Sequence, residues 1–320
     1  MSFYDLDWSG WSKVPGDGKT PAGLSAVADV AGCEIALACI GSSGHVFRNL
    51  MRGGTWGTWV EVPGNFKTKV APCAASLGGN LCLYVVGEDE LAYFNSTNNG
   101  TNWVGWKKVS GVAKTRTPLC AAPGGSLYLV ALDGTIFVNQ NPTTAAGAWT
   151  EVQPAFKTSA GLCATPLNFP GTSSDPVLFC KGPDDENIWY LSPGSTWSKL
   201  SGGGQTDRAL TAALNFQVSV WLFCTGRDNE IYASFITEPE PPGLVEISGW
   251  GKVPVINDNH FTTDAAPAAV GVVKKAHGDE SEQVFLFAKG FNDEIYVNVA
   301  QVSISSFAVD HGGPGQGPGI

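Results

Sequence analysis

The sequence predicts an all-β chain folded as a six-bladed β-propeller with four antiparallel strands per blade. Two parallel periodicities and the composition of each repeat support this prediction. A tryptophan recurs six times, at intervals of 43 to 53 residues: Trp11, Trp59, Trp106, Trp149, Trp197 and Trp250. A threonine recurs beside it, each with an alanine six residues further on: Thr20, Thr68, Thr115, Thr158, Thr206 and Thr263. Periods of about 40 to 50 residues indicate propellers or solenoids, because one unit alone cannot bury its apolar faces.

Each repeat is divided into short segments that read as strands. In the second repeat these are residues 68–75, 80–86, 90–95 and 103–109, which are partly β-branched or aromatic and are bounded by Gly, Asn, Pro or Asp. The 320 residues include 40 Gly and 20 Pro, a density that suits many tight turns and excludes a helical solenoid. Four such strands in each of six repeats predict the propeller.

The order of the segments predicts how the ring closes. The chain begins with the tryptophan-containing segment 8–14, and the sixth repeat ends after its third strand, at residues 294–299. Segment 8–14 is therefore expected to complete the last blade and remove a free sheet edge. The predicted propeller spans residues 1–310, with repeats near 15–62, 63–109, 110–152, 153–200, 201–253 and 254–299. Residues 302–309 are left over for a further edge strand or for contact with a neighbouring subunit of a homo-oligomer, and the Gly- and Pro-rich residues 311–320 are expected to form a flexible tail.

The composition excludes several classes of partner. The formal net charge of -10 argues against nucleic acid, because phosphate binding requires a basic surface. No apolar run is long enough to cross a membrane, and the first residues have neither the basic nor the apolar part of a secretory signal. The expected location is therefore the cytoplasm, or the exterior after release by a route without a signal peptide.

The eight cysteines follow the repeat rather than a pairing scheme. Two sets share equivalent positions: Cys73, Cys120 and Cys163 after the threonine, and Cys39, Cys180 and Cys224 before the turn. Because other repeats place Ser, Thr or Ala at the first position, it requires a small buried residue, and we predict free thiols, with disulfides as the alternative. The four histidines share no repeat position and have no cysteine at metal-ligand spacing, so we predict neither a metal site nor a cofactor.

Candidate binding residues lie in the tight turn between the second and third strands of each repeat. The turn residues Asp89, Asp133, Asp228 and Asn292 are expected to share one end of the propeller with the threonine loops, which carry Arg116. These residues are candidates to bind a polar ligand. The alternative is turn chemistry, because Gly and Asx supply the positive φ angles that such hairpins need.

A second set of candidates lies on the third strands, where an aromatic residue and an asparagine are two positions apart and so on one face. These pairs include Tyr93 with Asn95, Phe137 with Asn139, and Tyr296 with Asn298. An aromatic face beside an amide suits a pyranose, which has an apolar C–H face and hydroxyls. The alternative is a core ring with a strand-end hydrogen bond. A further tryptophan, present as Trp8, Trp56 and Trp103 and replaced in the other repeats, suits an exposed stacking role.

No concentration of acids or nucleophiles marks one repeat as catalytic, and no G-x-S-x-G is present. Residues 96–103, STNNGTNW, resemble a sialidase Asp-box that lacks its aspartate, and the five arginines are few for a sialidase-type site. A sialidase-like glycoside hydrolase stays open as an alternative. A scaffold for protein–protein interaction also stays open, although the Gly, Asn and Asp at the turns favour small polar ligands.

The repeat pattern is W-x-x-W-x-x-[VL]-x-G, then T-x-x-[PA]-x-x-A-A, then L-x-[LV]-[FV]-x-x-G-x-[DN]-x-x-[IL]-[YFW], over residues 8–299. It resembles the β-propeller lectins of the Photorhabdus-lectin type and, more loosely, the fucose-binding and N-acetylglucosamine-binding propeller lectins of fungi. The resemblance implies a non-catalytic lectin with shallow sites between neighbouring blades, often for L-fucose or a related saccharide. This chain has six repeats where the bacterial relatives have seven blades.

The predicted function is multivalent binding of fucose-like or N-acetylhexosamine sugars, with glycans of glycoproteins or glycolipids as partners. Blades 1, 2, 3 and 6 are expected to bind best, because they keep the aromatic–Asn pair and a polar turn. Blade 4 is expected to bind worst, because its turn has an extra residue at Asp184-Asp185 and Leu191 replaces the asparagine.

Overall fold

The computed structural model describes residues 6–166, 175–215, 219–237, 245–254, 261–276 and 279–302. These residues form six antiparallel sheets that follow one another along the chain, so the predicted six-bladed β-propeller is confirmed. The predicted domain limits stay predictions, because residues 1–5 and the tail 303–320 lie outside the described residues. No helix in the described residues is long and apolar enough to cross a membrane.

The blades are numbered in chain order. Blade 1 contains β3 (Ser25–Val30), β4 (Cys33–Ile40), β5 (Val46–Arg52), β6 (Thr55–Trp56) and β7 (Val60–Glu61). Blade 2 contains β8 (Cys73–Leu77), β9 (Asn80–Val86), β10 (Ala92–Thr97) and β11 (Lys107–Lys108). Blade 3 contains β12 (Cys120–Ala121), β13 (Leu127–Val130), β14 (Ile136–Asn139) and β15 (Trp149–Glu151).

Blade 4 contains β16 (Cys163–Thr165), β17 (Val177–Lys181), β18 (Ile188–Leu191) and β19 (Ser198–Lys199). Blade 5 contains β20 (Thr211–Asn215), β21 (Ser219–Thr225), β22 (Ile231–Thr237), β23 (Glu246–Ile247) and β24 (Gly251–Lys252). Blade 6 contains β25 (Ala268–Ala276), β26 (Asp279–Lys289) and β27 (Ile295–Val302), together with β1 (Asp7–Trp8) and β2 (Ser12–Lys13) from the start of the chain.

The outer strand departs from the sequence prediction in blades 1, 5 and 6, where it is broken into two short pieces. In blade 1, β6 pairs with the C-terminal end of β5 and β7 pairs with its N-terminal end. Gly57 lies between the two pieces and donates its N–H to the Leu50 carbonyl at 2.9 Å. The break costs little pairing energy, because the outer strand has only one neighbour.

The core lies between the blades rather than inside any one of them. The second strands are apolar on both sides where the blades pack, as in β9, where six consecutive residues from Leu81 to Val86 are buried. One side of β9, including Leu81 and Leu83, packs against Ala36 and Ile40 of blade 1. The other side packs against blade 3. Because a strand sandwiched between two sheets meets apolar neighbours on both faces, it reads as a continuous hydrophobic run.

The six repeated threonines tie neighbouring blades together. All are at most 2 % exposed, and each donates its backbone N–H to a carbonyl in the turn of the preceding blade, such as Thr68 to Gly44 at 2.9 Å. The Thr68 hydroxyl also accepts the Val70 N–H at 3.1 Å. These bonds satisfy buried backbone groups at every blade junction. They also confirm that the turns and the threonine loops lie at the same end of the propeller.

The N-terminal segment closes the ring, as predicted. Trp8 pairs with Ala300 and Lys13 pairs with Tyr296, both antiparallel. The bond from threonine to turn that links the other blades is also present between blades 6 and 1, where Thr20 donates its N–H to the Asp293 carbonyl at 2.8 Å. Without residues 1–14 this edge of the last blade would be open, so the N-terminal segment covers it.

All eight cysteines are free and buried. Burial raises the pKa of Cys73 and Cys163 to about 12. The Sγ of Cys73 accepts the N–H of Ala121 across the blade junction at 3.2 Å. The repeated cysteines therefore serve as small packing residues, as the sequence predicted.

We expect the thiols to be inert in the folded protein, because a reagent needs both access and the thiolate. Thiol titration at pH 8 without reductant should find almost none reactive before unfolding and close to eight afterwards. A chemically reduced sample gives the reference count. Two or fewer thiols after unfolding would contradict this prediction.

Candidate functional site

Six equivalent clefts lie between neighbouring blades at the end that carries the turns. Each is lined by the third-strand aromatic and the repeated tryptophan of one blade, and by the linker that precedes that blade's threonine. The clefts are numbered by this blade, and their ring pairs are Phe47 and Trp59, Tyr93 and Trp106, Phe137 and Trp149, Trp189 and Trp197, Tyr232 and Trp250, and Tyr296 and Trp11 for clefts 1 to 6. All twelve rings are half-buried, so part of each remains accessible.

The strand register places the two rings of a pair on the same face. Tyr93 lies opposite Lys108 in the β10–β11 ladder, and Tyr232 lies opposite Lys252 in the β22–β24 ladder. Each repeated tryptophan is two residues before this outer-strand position, and residues two apart on a strand share a face. Every cleft is therefore built from two aromatic walls and one cross-strand polar side chain.

The turn carboxylates hold the turn and still point to the cleft. Asp89 accepts the Leu91 N–H at 3.2 Å and the Tyr93 hydroxyl at 2.9 Å. Asp228 accepts the hydroxyl of Tyr232 at 2.8 Å in the same way. One carboxylate oxygen of each aspartate therefore stabilises the turn, as the alternative interpretation predicts. The tyrosine hydroxyl binds the second oxygen and orients it beside the aromatic wall.

The other turns vary this arrangement. Asp133 accepts the hydroxyl and the N–H of Thr135, at 2.9 and 3.0 Å. Asn292 donates its amide to the Tyr296 hydroxyl at 3.1 Å. In blade 4 the turn residue is Asp185, and its carboxylate accepts the Trp189 indole N–H at 3.4 Å. The extra residue in this turn shifts the carboxylate by one position without removing it.

Cleft 5 has the most defined electrostatics. Burial alone would raise the pKa of Asp228, but the Tyr232 hydroxyl, the Glu230 N–H and Lys252 together hold that pKa below its ordinary value. Burial and the bond to Asp228 raise the pKa of Tyr232. The Lys252 ammonium lies 3.4 Å from the Asp228 carboxylate and 5.8 Å from the centre of the Tyr232 ring. Lys252 is held more closely by Glu230, at 2.5 Å, so the cleft presents an ionised carboxylate next to two aromatic walls.

Arg116 does not belong to a cleft. It is exposed, its guanidinium pairs with the Glu90 carboxylate, and it lines the axial cavity of about 470 Å³ inside the ring of first strands. The threonine loops reach the axis, whereas the turns and aromatic rings lie further out. Arg116 is therefore separated from the other candidate residues.

The asparagines of the third strands are not accessible. Asn95, Asn139 and Asn298 are all 0 % exposed. Asn139 donates to the Ser110 carbonyl at 3.2 Å, and Asn298 donates to the Pro254 carbonyl at 3.4 Å. These contacts are with the linker from the preceding blade, so the side chains tie blades together. A sugar in the cleft would meet the aromatic partner of each pair but not its amide.

The tryptophans of the variable first position lie against the preceding blade. Trp8 is 7 % exposed and packs edge-on against Phe223, with ring centroids 6.2 Å apart. Trp56 packs edge-on against Phe287 of blade 6, at 5.8 Å. Trp103 is half-buried in the core between blades 1 and 2. Trp8 is therefore a core residue, and the other two present only part of their rings.

One pattern was missed at the sequence level. The residue two positions before the repeated threonine is Phe66, Phe156 or Phe261 in clefts 2, 4 and 6, and Gly18, Ala113 or Gly204 in clefts 1, 3 and 5. Phe66 lies between the two rings of its cleft, 4.8 Å from Tyr93 and 4.9 Å from Trp106. Aligning the linkers on the threonine reveals the alternation, even though the linker to blade 6 is longer than the others.

In cleft 5, where the phenylalanine is absent, space remains between the two walls. Cleft 5 encloses about 360 Å³ between linker residues 203–205, the turn at Asp228, and the rings of Tyr232 and Trp250. This volume lies within the range of roughly 300 to 1,000 Å³ that small-ligand sites occupy. Among the described residues, no group of three or more His, Cys, Asp or Glu side chains could hold a metal ion. The cleft is thus suited to a small organic ligand with polar substituents.

The structure is similar to solved β-propeller lectins. The fucose-specific lectin of Aleuria aurantia matches with a TM-score of 0.58 and 13% identity over 85% of this chain and 89% of that one. AofleA of Arthrobotrys oligospora matches with a TM-score of 0.62 and 10% identity over 92% and 86%. The BP39L lectin of Burkholderia pseudomallei matches with a TM-score of 0.59 and 17% identity over 88% and 97%. At these identities the likeness establishes the fold, which for the Aleuria lectin is described as a six-bladed β-propeller.

No protein-family model matches the sequence, and no curated protein matches it significantly.

Proposed function

We propose that this protein is a non-catalytic, multivalent lectin that binds fucose-like or N-acetylhexosamine sugars in its interblade clefts. The observation that supports this most is cleft 5, where Asp228 and two aromatic walls line about 360 Å³. An aromatic wall covers the apolar face of a pyranose, and a carboxylate accepts hydrogen bonds from its hydroxyls. The glycans of glycoproteins or glycolipids are the partners that follow from this chemistry.

The solved structures of similar fold support the same proposal. The Aleuria lectin has been solved with α-methyl-L-fucoside and with Fucα1-6GlcNAc. AofleA was also studied as a mutant with three arginines changed to alanine. The five arginines of the present chain occupy five different positions of the repeat. Sugar recognition here therefore relies on aromatic rings, turn carboxylates and lysines rather than on a repeated arginine.

A sialidase-like hydrolase has less support. Of the five arginines, Arg116 and Arg208 line the axial cavity, and both are paired with carboxylates: Arg116 with Glu90, and Arg208 with Asp207 at 3.6 Å. The cavity's lysine, Lys289, is 3 % exposed and lies 2.8 Å from both Asp264 and Asp293. Neutralised pairs of this kind do not form a cluster of free cations for a carboxylated sugar.

A scaffold for protein partners also has less support. Among the described residues, the exposed large apolar side chains are single residues on several blades: Val60, Val104, Val112, Leu132 and Phe291. Scattered apolar residues are normal on a soluble surface and do not form a docking patch.

Calorimetry with methyl α-L-fucoside and with N-acetylglucosamine tests the proposal, together with a glycan array and analysis of the sugars for cleavage. We expect dissociation constants of roughly 0.1 to 1 mM per site, because a monosaccharide makes few contacts in an open cleft. No product should appear. Absence of binding in both assays would refute the lectin proposal, and turnover would refute its non-catalytic part.

The Asp228→Ala variant links this binding to cleft 5. We expect one site fewer per chain and a stability loss of about 1 kcal/mol or less, because the side chain is on an exposed turn. Val104→Ala is the control for an exposed residue outside the turns. A stability loss with unchanged stoichiometry would show that Asp228 serves the turn alone.

A further inference from the structure

The alternation of the linker residue divides the six clefts into two kinds. We infer that sugar occupies only clefts 1, 3 and 5, and that Phe66, Phe156 and Phe261 fill the equivalent space in clefts 2, 4 and 6. This inference rests on the proposed function and adds to it the number and the identity of the working sites. The active clefts then alternate around the ring.

The three phenylalanines take the place that a sugar ring would need. Phe261 stacks on Trp11 with ring centroids 4.1 Å apart and planes at 15°. Phe156 stacks on Trp197 at 4.5 Å and 21°. Each of these phenylalanines also contacts the third-strand ring of its cleft, at 5.2 Å for Tyr296 and 5.3 Å for Trp189. Because the phenyl ring is part of the chain, it fills the cleft without the entropy loss that a free sugar incurs on binding.

In clefts 1 and 5 a glycine lets the tryptophan move onto the linker. A Cβ added to Gly18 would lie 2.2 Å from the indole nitrogen of Trp59, and one added to Gly204 would lie 2.2 Å from that of Trp250. These indole rings therefore lie directly on the linker backbone, in a position that excludes any side chain there. In cleft 5 this arrangement leaves the volume in front of Tyr232 open.

Cleft 3 differs from the filled clefts at Ala113 alone. Trp149 lies against Gly111 as Trp106 lies against Gly64 in cleft 2, since added Cβ atoms would be 2.5 and 2.7 Å from the two indole rings. Only a methyl group follows at Ala113, so no third ring enters between Trp149 and Phe137. The clefts expected to bind therefore differ from those that the aromatic–Asn pairs predict. Those asparagines are buried, and blade 5 has an open cleft.

The open clefts differ in charge, which predicts unequal affinities. Cleft 5 has the Asp228 carboxylate and Lys252. In cleft 3, Asp133 lies 3.6 Å from Lys157, and Glu151 is the cross-strand partner of Phe137. Cleft 1 has Ser43 at the turn position, with His45 and Glu61 paired at 3.3 Å. Cleft 5 should bind a neutral pyranose most tightly, since it combines a tyrosine-oriented carboxylate with about 360 Å³ of space between its two rings.

Site-resolved NMR tests this inference with methyl α-L-fucoside and with N-acetylglucosamine as probes. The indole N–H signals are assigned with single Trp→Phe variants, and each probe is titrated to saturation. We expect saturable shifts for Trp59, Trp149 and Trp250 and unchanged signals for Trp11, Trp106 and Trp197. Equal shifts in both sets would overturn the inference while leaving the lectin proposal intact. Binding of neither probe at any site would overturn the lectin proposal and this inference with it.

Opening a filled cleft provides the second test. Phe66→Ala should increase the calorimetric stoichiometry from three to four, and the Trp106 signal should then respond to the probe. Phe156→Ala is the second variant, so that a folding defect in one does not decide the outcome. Phe291→Ala removes an exposed phenylalanine from the turn of a filled cleft and should leave the stoichiometry at three. Folded variants with no added site would overturn the inference.

Discussion

Deletion of residues 1–14 is expected to lower the melting temperature by about 10 °C or more, or to leave the protein insoluble. Trp8 and Val14 are 7 % and 1 % exposed. Burial of each such side chain contributes roughly 1.5 to 3 kcal/mol. The deletion also removes the outer strand of blade 6 and its pairing with β27. Against a total stability of about 5 to 15 kcal/mol, these losses are large.

Aggregation should accompany the loss, because the deletion uncovers the edge of β27, the longest of the third strands. Thermal unfolding followed by circular dichroism, together with light scattering, measures both effects. Deletion of residues 1–5 is the matched control and should change neither, because the described pairing begins at Asp7. An unchanged melting temperature after deletion of residues 1–14 would contradict the ring-closure argument.

The ring could be predicted from the sequence because its periodic residues serve the same physical need in every blade. Each repeated threonine fills one buried position, and its hydroxyl accepts the N–H two residues further on, so a small hydroxyl residue suits the position. The second strands are buried on both sides where the blades pack, and those stretches therefore read as apolar runs. Such requirements repeat with the architecture and leave a period in the sequence.

The asparagines show where sequence reasoning fails. Strand alternation correctly places Asn139 on the same face as Phe137. The Asn139 amide is covered by the linker from the preceding blade, whose Ser110 carbonyl lies 29 residues earlier in the chain, and periodicity contains no information about it. The same limit applies to Trp8, whose partner Phe223 is far along the chain. Candidate residues chosen by type and spacing therefore include both accessible rings and buried residues that hold neighbouring blades together.

The alternation of linker residues was present in the sequence but not in the part that carries the strand pattern. An alignment on the tryptophans places Gly18, Phe66 and Ala113 in one column, each seven residues after its tryptophan, and only the linker to blade 6 is longer. Their role also depends on where the indole rings settle, which is decided by packing. The distinction between filled and open clefts therefore becomes clear only with the side chains in place.

The largest functional effect is expected from removing one aromatic wall of each open cleft at once. The triple variant Phe47→Ala, Phe137→Ala and Tyr232→Ala should lose at least about 100-fold in binding to a surface coated with clustered fucosides or N-acetylhexosamines. Linked weak sites gain roughly 10² to 10⁴ in avidity when several engage together, and this gain disappears with the sites. Biosensor measurements on dense and sparse glycan surfaces give the avidity directly.

The matched control removes the same kind of ring from the filled clefts: Tyr93→Ala, Trp189→Ala and Tyr296→Ala. Each of the six rings is half-buried, so the two triple variants should lose comparable stability, and circular dichroism confirms that both are folded before binding is compared. Binding to the dense surface should survive in the control, since clefts 1, 3 and 5 keep both of their walls. If the two triple variants lost binding equally, the clefts would have to be equivalent, and the phenylalanines could not be what separates them.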